Sequence, residues 1–229
     1  LFLGSMLSVA GYPLIFLMEK IFGLVSNTRL QDLADPNNKL LRILAQKAPG
    51  TFQHSLQVMN LSDAAARSID ANVLLVRAGA MYHDIGKTEN PQCFVENEGV
   101  GAKYHDGLTP LESAKMIINH VTDGMRLAEK YNLPTIISDF IITHHGTSCA
   151  AYFYNKYIQE GGDPANADEF FYKGKKPWTK EQTILMICDS IEAASRTLKD
   201  TSPETFDKFV ESIVASKINA GQLDNADIS

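Results

Sequence analysis

The stretch from Thr109 to Ala128 allows one local structure above all others. Thr109 suits a helix cap, Pro110 suits the first helical position, and Glu112 sits where it closes a capping box. Behind this start, Leu111, Ala114, Ile117, Ile118, Val121, Met125 and Ala128 recur with a helical period. The same signals recur along the chain. Phe52 to Ser68 reads as a helix, as does Asn72 to Tyr82, with Gly86 as a helix stop. Pro134 to Thr143 reads as another. Thr179 to Gln182 resembles a second capping box before a helix from Ile184 to Leu198, and Ser202-Pro203 opens a last helix through Ile218. No alternating strand pattern, repeat or low-complexity tract interrupts this order. The expected fold class is all-α, a helical bundle with two long loops, Thr88 to Leu108 and Glu160 to Trp178, over a site.

The 229 residues fit one large domain, or one domain with appendages. With 45% hydrophobic and 21% charged residues, a packed core is expected and disorder is not. A net charge of -6 argues against duplex nucleic acid as a partner. A small anionic substrate stays compatible if metal supplies local positive charge. Cys93, Cys149 and Cys188 are odd in number, widely spaced and without a CxxC pair, so they read as free thiols of a reducing compartment, with Cys188 in the core. Leu1 to Met18 carries no charged side chain. Its length is near the lower limit for a membrane span, and it lacks the basic start of a signal peptide.

The chain has six histidines: His54, His83, His105, His120, His144 and His145. Four of them sit on or at the ends of apolar helical segments. His83-Asp84 and His144-His145 are adjacent pairs. Neighbours on a helix point about 100° apart, so both members reach one centre only at a helix end or between two metals. Asp189 lies in the apolar run Thr183 to Ile191, where a lone carboxylate costs several kcal/mol to bury and a metal offsets that cost.

The order His54, His83-Asp84, Asp189, with His83-Asp84-Ile85-Gly86-Lys87 and His144-His145-Gly146-Thr147, resembles the HD-domain phosphohydrolases. Ala48-Pro49-Gly50-Thr51, Phe94-Val95-Glu96-Asn97, His120-Val121, Tyr152-Phe153-Tyr154 and Gly221-Gln222-Leu223 extend the resemblance to the seven-transmembrane HD-domain cyclic di-AMP phosphodiesterases. It covers roughly Glu19 to Asp227, and residues 19–229 are the expected HD domain. It makes residues 1–18 the remnant of a last transmembrane helix, the alternative being an N-terminal helix packed on the domain, with the domain at the cell membrane facing the cytoplasm. The family's Arg-Tyr-Pro-Gly departs here to Tyr172-Lys173-Gly174-Lys175-Lys176-Pro177.

The resemblance implies a binuclear site. His54, His83, Asp84 and Asp189 would hold one metal, and Asp84, His120, His144 and His145 the other, with Asp84 as the bridge. Imidazole and carboxylate together suit iron, manganese or zinc over magnesium, with iron or manganese expected. A water between the metals would attack phosphorus and open cyclic di-AMP to linear pApA. Asp84 and Lys87 are the expected catalytic residues. Lys87, His105 and Arg196 are candidates for substrate contact: Lys87 for a phosphate oxygen, His105 for substrate or the leaving 3′-oxygen, Arg196 for the second phosphate. Tyr82 and Tyr154 are candidates to stack on adenine, with a core role favoured. Two alternatives are kept: cyclic di-GMP hydrolysis, and a nucleotide-binding membrane sensor without catalysis. The apolar face Phe206, Phe209, Ile213 and Ile218 suits either core packing or an oligomer contact.

Overall fold

The computed structural model describes residues 17, 21, 24–97, 104–200 and 202–227. Among the described residues there are nine α-helices, four short 3-10 segments and one isolated bridge, Cys149 to Phe171. The all-α reading therefore holds. The expectation for Leu1 to Met18 lies outside the described residues, apart from Leu17. Among the described residues no helix is long and apolar enough to cross a membrane.

Helices α1 (Asn27–Ala34), α2 (Lys39–Lys47) and α3 (Pro49–Ser68) lead into α4 (Val73–Tyr82), the centre of the bundle. From Leu75 to Tyr82, α4 is buried except at Arg77, and it packs on α1, α3, α6 (Thr135–Thr143) and α8 (Lys180–Ser195). Leu41, Leu44, Val58, Val76, Met81, Ile137, Phe140 and Leu185 form its core, each fully enclosed. Burying a side chain of this size stabilises by about 1.5–3 kcal/mol. The buried face of α3 runs Thr51, His54, Ser55, Val58, Met59, Ser62, Ala66, so His54 sits on the core stripe.

Helix α5 (Pro110–Lys130) begins with the complete Thr109–Glu112 capping box and packs on α6, α7 (Ala151–Gln159) and the 3-10 turn Ile85–Thr88. Gly86 lies inside that turn and does not end α4, which stops at Tyr82. A Cβ at Gly86 would meet the His120 carbonyl, so the glycine serves close approach to α5. At α8 only half of the expected box forms. Thr179 accepts from the Gln182 N–H, but Gln182 Oε1 accepts from Trp178 N–H. Helix α8 ends at Ser195, short of Leu198. Helix α9 (Pro203–Asn219) buries no residue fully, and Phe206 and Ile218 on its expected apolar face are exposed. The sequence reading missed α7. Three aromatics, Tyr152-Phe153-Tyr154, stand in succession in it, and none of its residues is fully buried.

Candidate metal centre

Five elements bring the site together. His54 comes from α3, His83 and Asp84 from the end of α4, and His120 from α5. His144 and His145 follow α6, and Asp189 lies on α8. Asp84 occupies the cap position of the Ile85–Thr88 turn but makes no side-chain cap bond, which leaves its carboxylate for the site.

The two oxygens of Asp84 face two different sets of imidazoles. Oδ2 lies 3.5 Å from His54 Nε2 and 3.3 Å from His83 Nε2. Oδ1 lies 3.3 Å from His120 Nε2 and 3.5 Å from His144 Nε2. Asp189 Oδ1 lies 3.0 Å from His54 Nε2, and its Oδ2 lies 3.9 Å from His145 Nδ1. Ligand-type atoms thus form two groups, Asp84 with His120, His144 and His145, and His54 with His83 and Asp189. Within each group the atoms lie within 4.8 Å of one another.

Backbone carbonyls fix the ring orientation. Nδ1 of His83, His120 and His144 donates to the carbonyls of Ala80, Ile117 and Ile141, at 2.7, 2.6 and 2.8 Å. In a neutral ring this leaves the Nε2 lone pair aimed inward, the arrangement that a hydrogen-bond acceptor behind the ring imposes on an imidazole metal ligand. His120 Nε2 and His144 Nε2 then face each other across 3.1 Å, each with its ring proton committed elsewhere. His83 Nε2 and Asp84 Oδ1 are buried and make no hydrogen bond. A buried ring nitrogen and a buried carboxylate oxygen without partners are costly alone, and a divalent cation that displaces the ring proton would satisfy both.

The charges are strongly coupled. Burial opposes charge on His83, but Asp84 and Asp189 overcome it and raise the ring to about 10. Burial, with His144 and Lys87 adding to it, pushes His120 down to about 3 despite Asp84. Burial also opposes ionisation of Asp84, yet Lys87 and His83 hold it well below the usual carboxylate range.

Other expected residues are engaged within the protein. Lys87 Nζ lies between Asp84 Oδ2 at 2.7 Å and Glu96 Oε1 at 2.8 Å, so its ammonium braces Asp84 instead of standing open to a phosphate. His105 is outside both ligand groups, with Nε2 on the Cys93 carbonyl at 2.9 Å. Arg196 forks onto Glu192, and so it does not project as an unpaired cation toward a second phosphate. Tyr82 is completely buried and cannot stack on a base. Tyr154 packs its ring on Phe170.

Sequence reasoning missed Glu192, and it noted Glu96 within Phe94-Val95-Glu96-Asn97 without giving it a role. Glu192 accepts from His54 Nδ1, and Glu96 shares Lys87 with Asp84. The sequence marks Glu192 only by its i, i+3 spacing from Asp189, which puts both on one helix face. Above the cluster a cleft of about 1260 Å³ opens past His145, Tyr172, Phe153 and Lys217.

The model of the HD domain matches residues 51–194, a span that contains every residue of both ligand groups. The chain belongs to the HD-domain family. Among curated HD-domain relatives it is 41% identical over 228 residues to the cyclic-di-AMP phosphodiesterase PgpH of Bacillus subtilis, covering 100% of this chain and 32% of that protein. It is 42% identical to the protein of the same name from Listeria monocytogenes, covering 96% of this chain and 31% of that protein. The chain therefore spans about a third of the length of these relatives. Its fold matches the crystal structure of the L. monocytogenes PgpH HD domain in complex with cyclic-di-AMP. The TM-score is 0.80 at 40% identity, covering 85% of this chain and 91% of that one.

Proposed function

We propose that this chain is the hydrolytic domain of a metal-dependent phosphodiesterase that opens cyclic di-AMP to linear pApA. The observation that carries the reading is the split of Asp84, whose two oxygens face two separate imidazole sets. The 40% identical HD domain solved with cyclic-di-AMP supports the substrate.

His54, His83, Asp84 and Asp189 are the proposed ligands of one divalent transition metal, iron or manganese. Asp84, His120, His144 and His145 are those of the second. Metals bound there supply Lewis-acid activation of water and charge stabilisation at phosphorus. The chain's own groups do the positioning. The carbonyls of Ala80, Ile117 and Ile141 lock three rings with Nε2 inward. Lys87 keeps Asp84 ionised and oriented. Attack of water on phosphorus breaks one P–O3′ bond of the ring. The products are a 5′-phosphate and a 3′-hydroxyl on one linear dinucleotide. We place the domain at the cytoplasmic face of the cell membrane, tethered through its N-terminal side. The match to about a third of longer relatives supports such a larger protein.

The test is product chromatography after incubation with cyclic di-AMP or cyclic di-GMP and manganese(II) or iron(II). Selective formation of pApA is expected. Selective cleavage of cyclic di-GMP would keep the metal chemistry and overturn the substrate. No cleavage of either by metal-loaded protein would favour a binding module without turnover.

A further inference from the structure

The cleft over His145 contains three lysines, and they differ in what they already hold. Lys173 Nζ donates to the Asp168 carbonyl at 2.7 Å, and Lys176 Nζ pairs with Asp224 at 2.8 Å. Lys217, on the last turn of α9, is half-buried and makes no hydrogen bond or ion pair through its ammonium among the described residues. An ammonium removed from water without a partner is costly, and burial pushes its pKa down.

The position of Lys217 is built, not incidental. Its carbonyl accepts the N–H of Gln222 at 3.0 Å. The buried Gln222 side chain in turn accepts from the Thr147 N–H at 2.9 Å and donates to Thr147 Oγ1 at 3.2 Å. Thr147 stands two residues after His145. Gly146 between them has φ +55, and a Cβ there would strike Gln222 Oε1. The end of α9 that carries Lys217 is therefore clamped to the loop that carries His144 and His145. Lys217 makes no ion pair with Asp84 or Asp189 among the described residues; the Asp189 carboxylate acts on its ammonium only at longer range and does not overcome the burial.

A cyclic dinucleotide has two phosphodiesters on one ring. When one is at the metal centre, the other must lie elsewhere in the same cleft. We infer that Lys217 binds the second, unreacting phosphate of the cyclic dinucleotide, a role in which it has no carboxylate to leave, whereas Arg196 is already paired with Glu192. The inference rests on the phosphodiesterase reading above and adds a specificity residue to it.

The test compares Lys217→Met, Lys217→Arg and the unaltered protein, all loaded with manganese(II). One substrate is cyclic di-AMP. The other is bis(p-nitrophenyl) phosphate, a diester with a single phosphate. A lost charge-assisted hydrogen bond corresponds to about 10- to 100-fold in binding. Lys217→Met is expected to raise KM for cyclic di-AMP by about that factor, with a smaller change in kcat. Its loss in kcat/KM on the dinucleotide should exceed its loss on the single-phosphate diester by about tenfold or more, and Lys217→Arg should recover most of it. Equal losses on both substrates, or no loss on the dinucleotide, would overturn the inference while the phosphodiesterase reading stood. If the unaltered protein cut the simple diester but no cyclic dinucleotide, the substrate reading would fail and this inference with it.

Discussion

Glu192 stands one turn beyond Asp189 on α8, and the two carboxylates hold opposite nitrogens of His54: Glu192 at Nδ1, Asp189 Oδ1 at 3.0 Å from Nε2. The same Glu192 receives the guanidinium fork of Arg196. His54 is thus oriented from outside the ligand groups, as imidazole ligands require. Glu192→Gln keeps an acceptor but loses the charge. Glu192→Ala loses both. Manganese(II) affinity should fall by about 10-fold in the first and toward 100-fold in the second, read by metal titration. Equal affinity in all three proteins would contradict this role.

Lys87 is a largely enclosed cation between the buried Asp84 and the partly buried Glu96, and its removal leaves both carboxylates without that charge. Lys87→Met should cost about 3–5 kcal/mol of stability in chelator-treated protein, measured by urea unfolding. Added manganese(II) should recover part of the loss, because positive charge returns beside Asp84. A loss unaffected by metal would mean that Lys87 serves packing alone.

Gly86 lets the Ile85–Thr88 turn approach the backbone of α5 at His120. Gly86→Ala forces the two apart at the point where one ligand residue is anchored. Stability should fall by about 1–3 kcal/mol or more, and manganese(II) affinity should fall with it. An alanine variant with unaltered metal affinity would show that His120 tolerates the shift.

The metal-free protein should be most stable near pH 6.5. His83 is raised from 6.5 to about 10 in the fold, so its contribution is complete below 6.5 and is lost as pH rises toward 10. His120 is lowered from 6.5 to about 3, so the unfolded chain gains a proton first as pH falls below 6.5, and stability drops on that side. His54 acts in the sense of His83, and His145 in the sense of His120. Urea midpoints in the presence of a chelator should trace a maximum between pH 5 and 8. A monotonic curve over that window would contradict the assignment.

The candidate ligands stood out in the sequence because they are out of place by polarity, while their division into two sets came from the family resemblance. His83-Asp84 ends an apolar helix, and Asp189 interrupts an apolar run. The helix starts were legible where capping side chains and proline coincide, as at Thr109-Pro110. What supports the cluster was not legible. Glu96 lies in the segment after the Ile85–Thr88 turn, and only the folded chain brings it to Lys87. The charges of Lys87 and Arg196 are visible in sequence, but the carboxylates that occupy them are not. Lys217 could not be distinguished from Lys173 and Lys176 until the partners of those two were seen. Helix α7 escaped because no residue of it is fully buried and its inner stripe, Phe153, Tyr154 and Tyr157, is only half-buried and made of aromatics that stand beside others in sequence.

The most direct test of the central claim is the initial rate of pApA formation from cyclic di-AMP, measured against manganese(II) concentration, for the unaltered protein and for Asp84→Ala. The account predicts a rate that rises with manganese(II) to saturation, disappears with chelator, and is lost in Asp84→Ala at every metal concentration. Metal-independent turnover, or an Asp84→Ala protein that still turns over at saturating metal, would contradict a centre built around the two oxygens of Asp84.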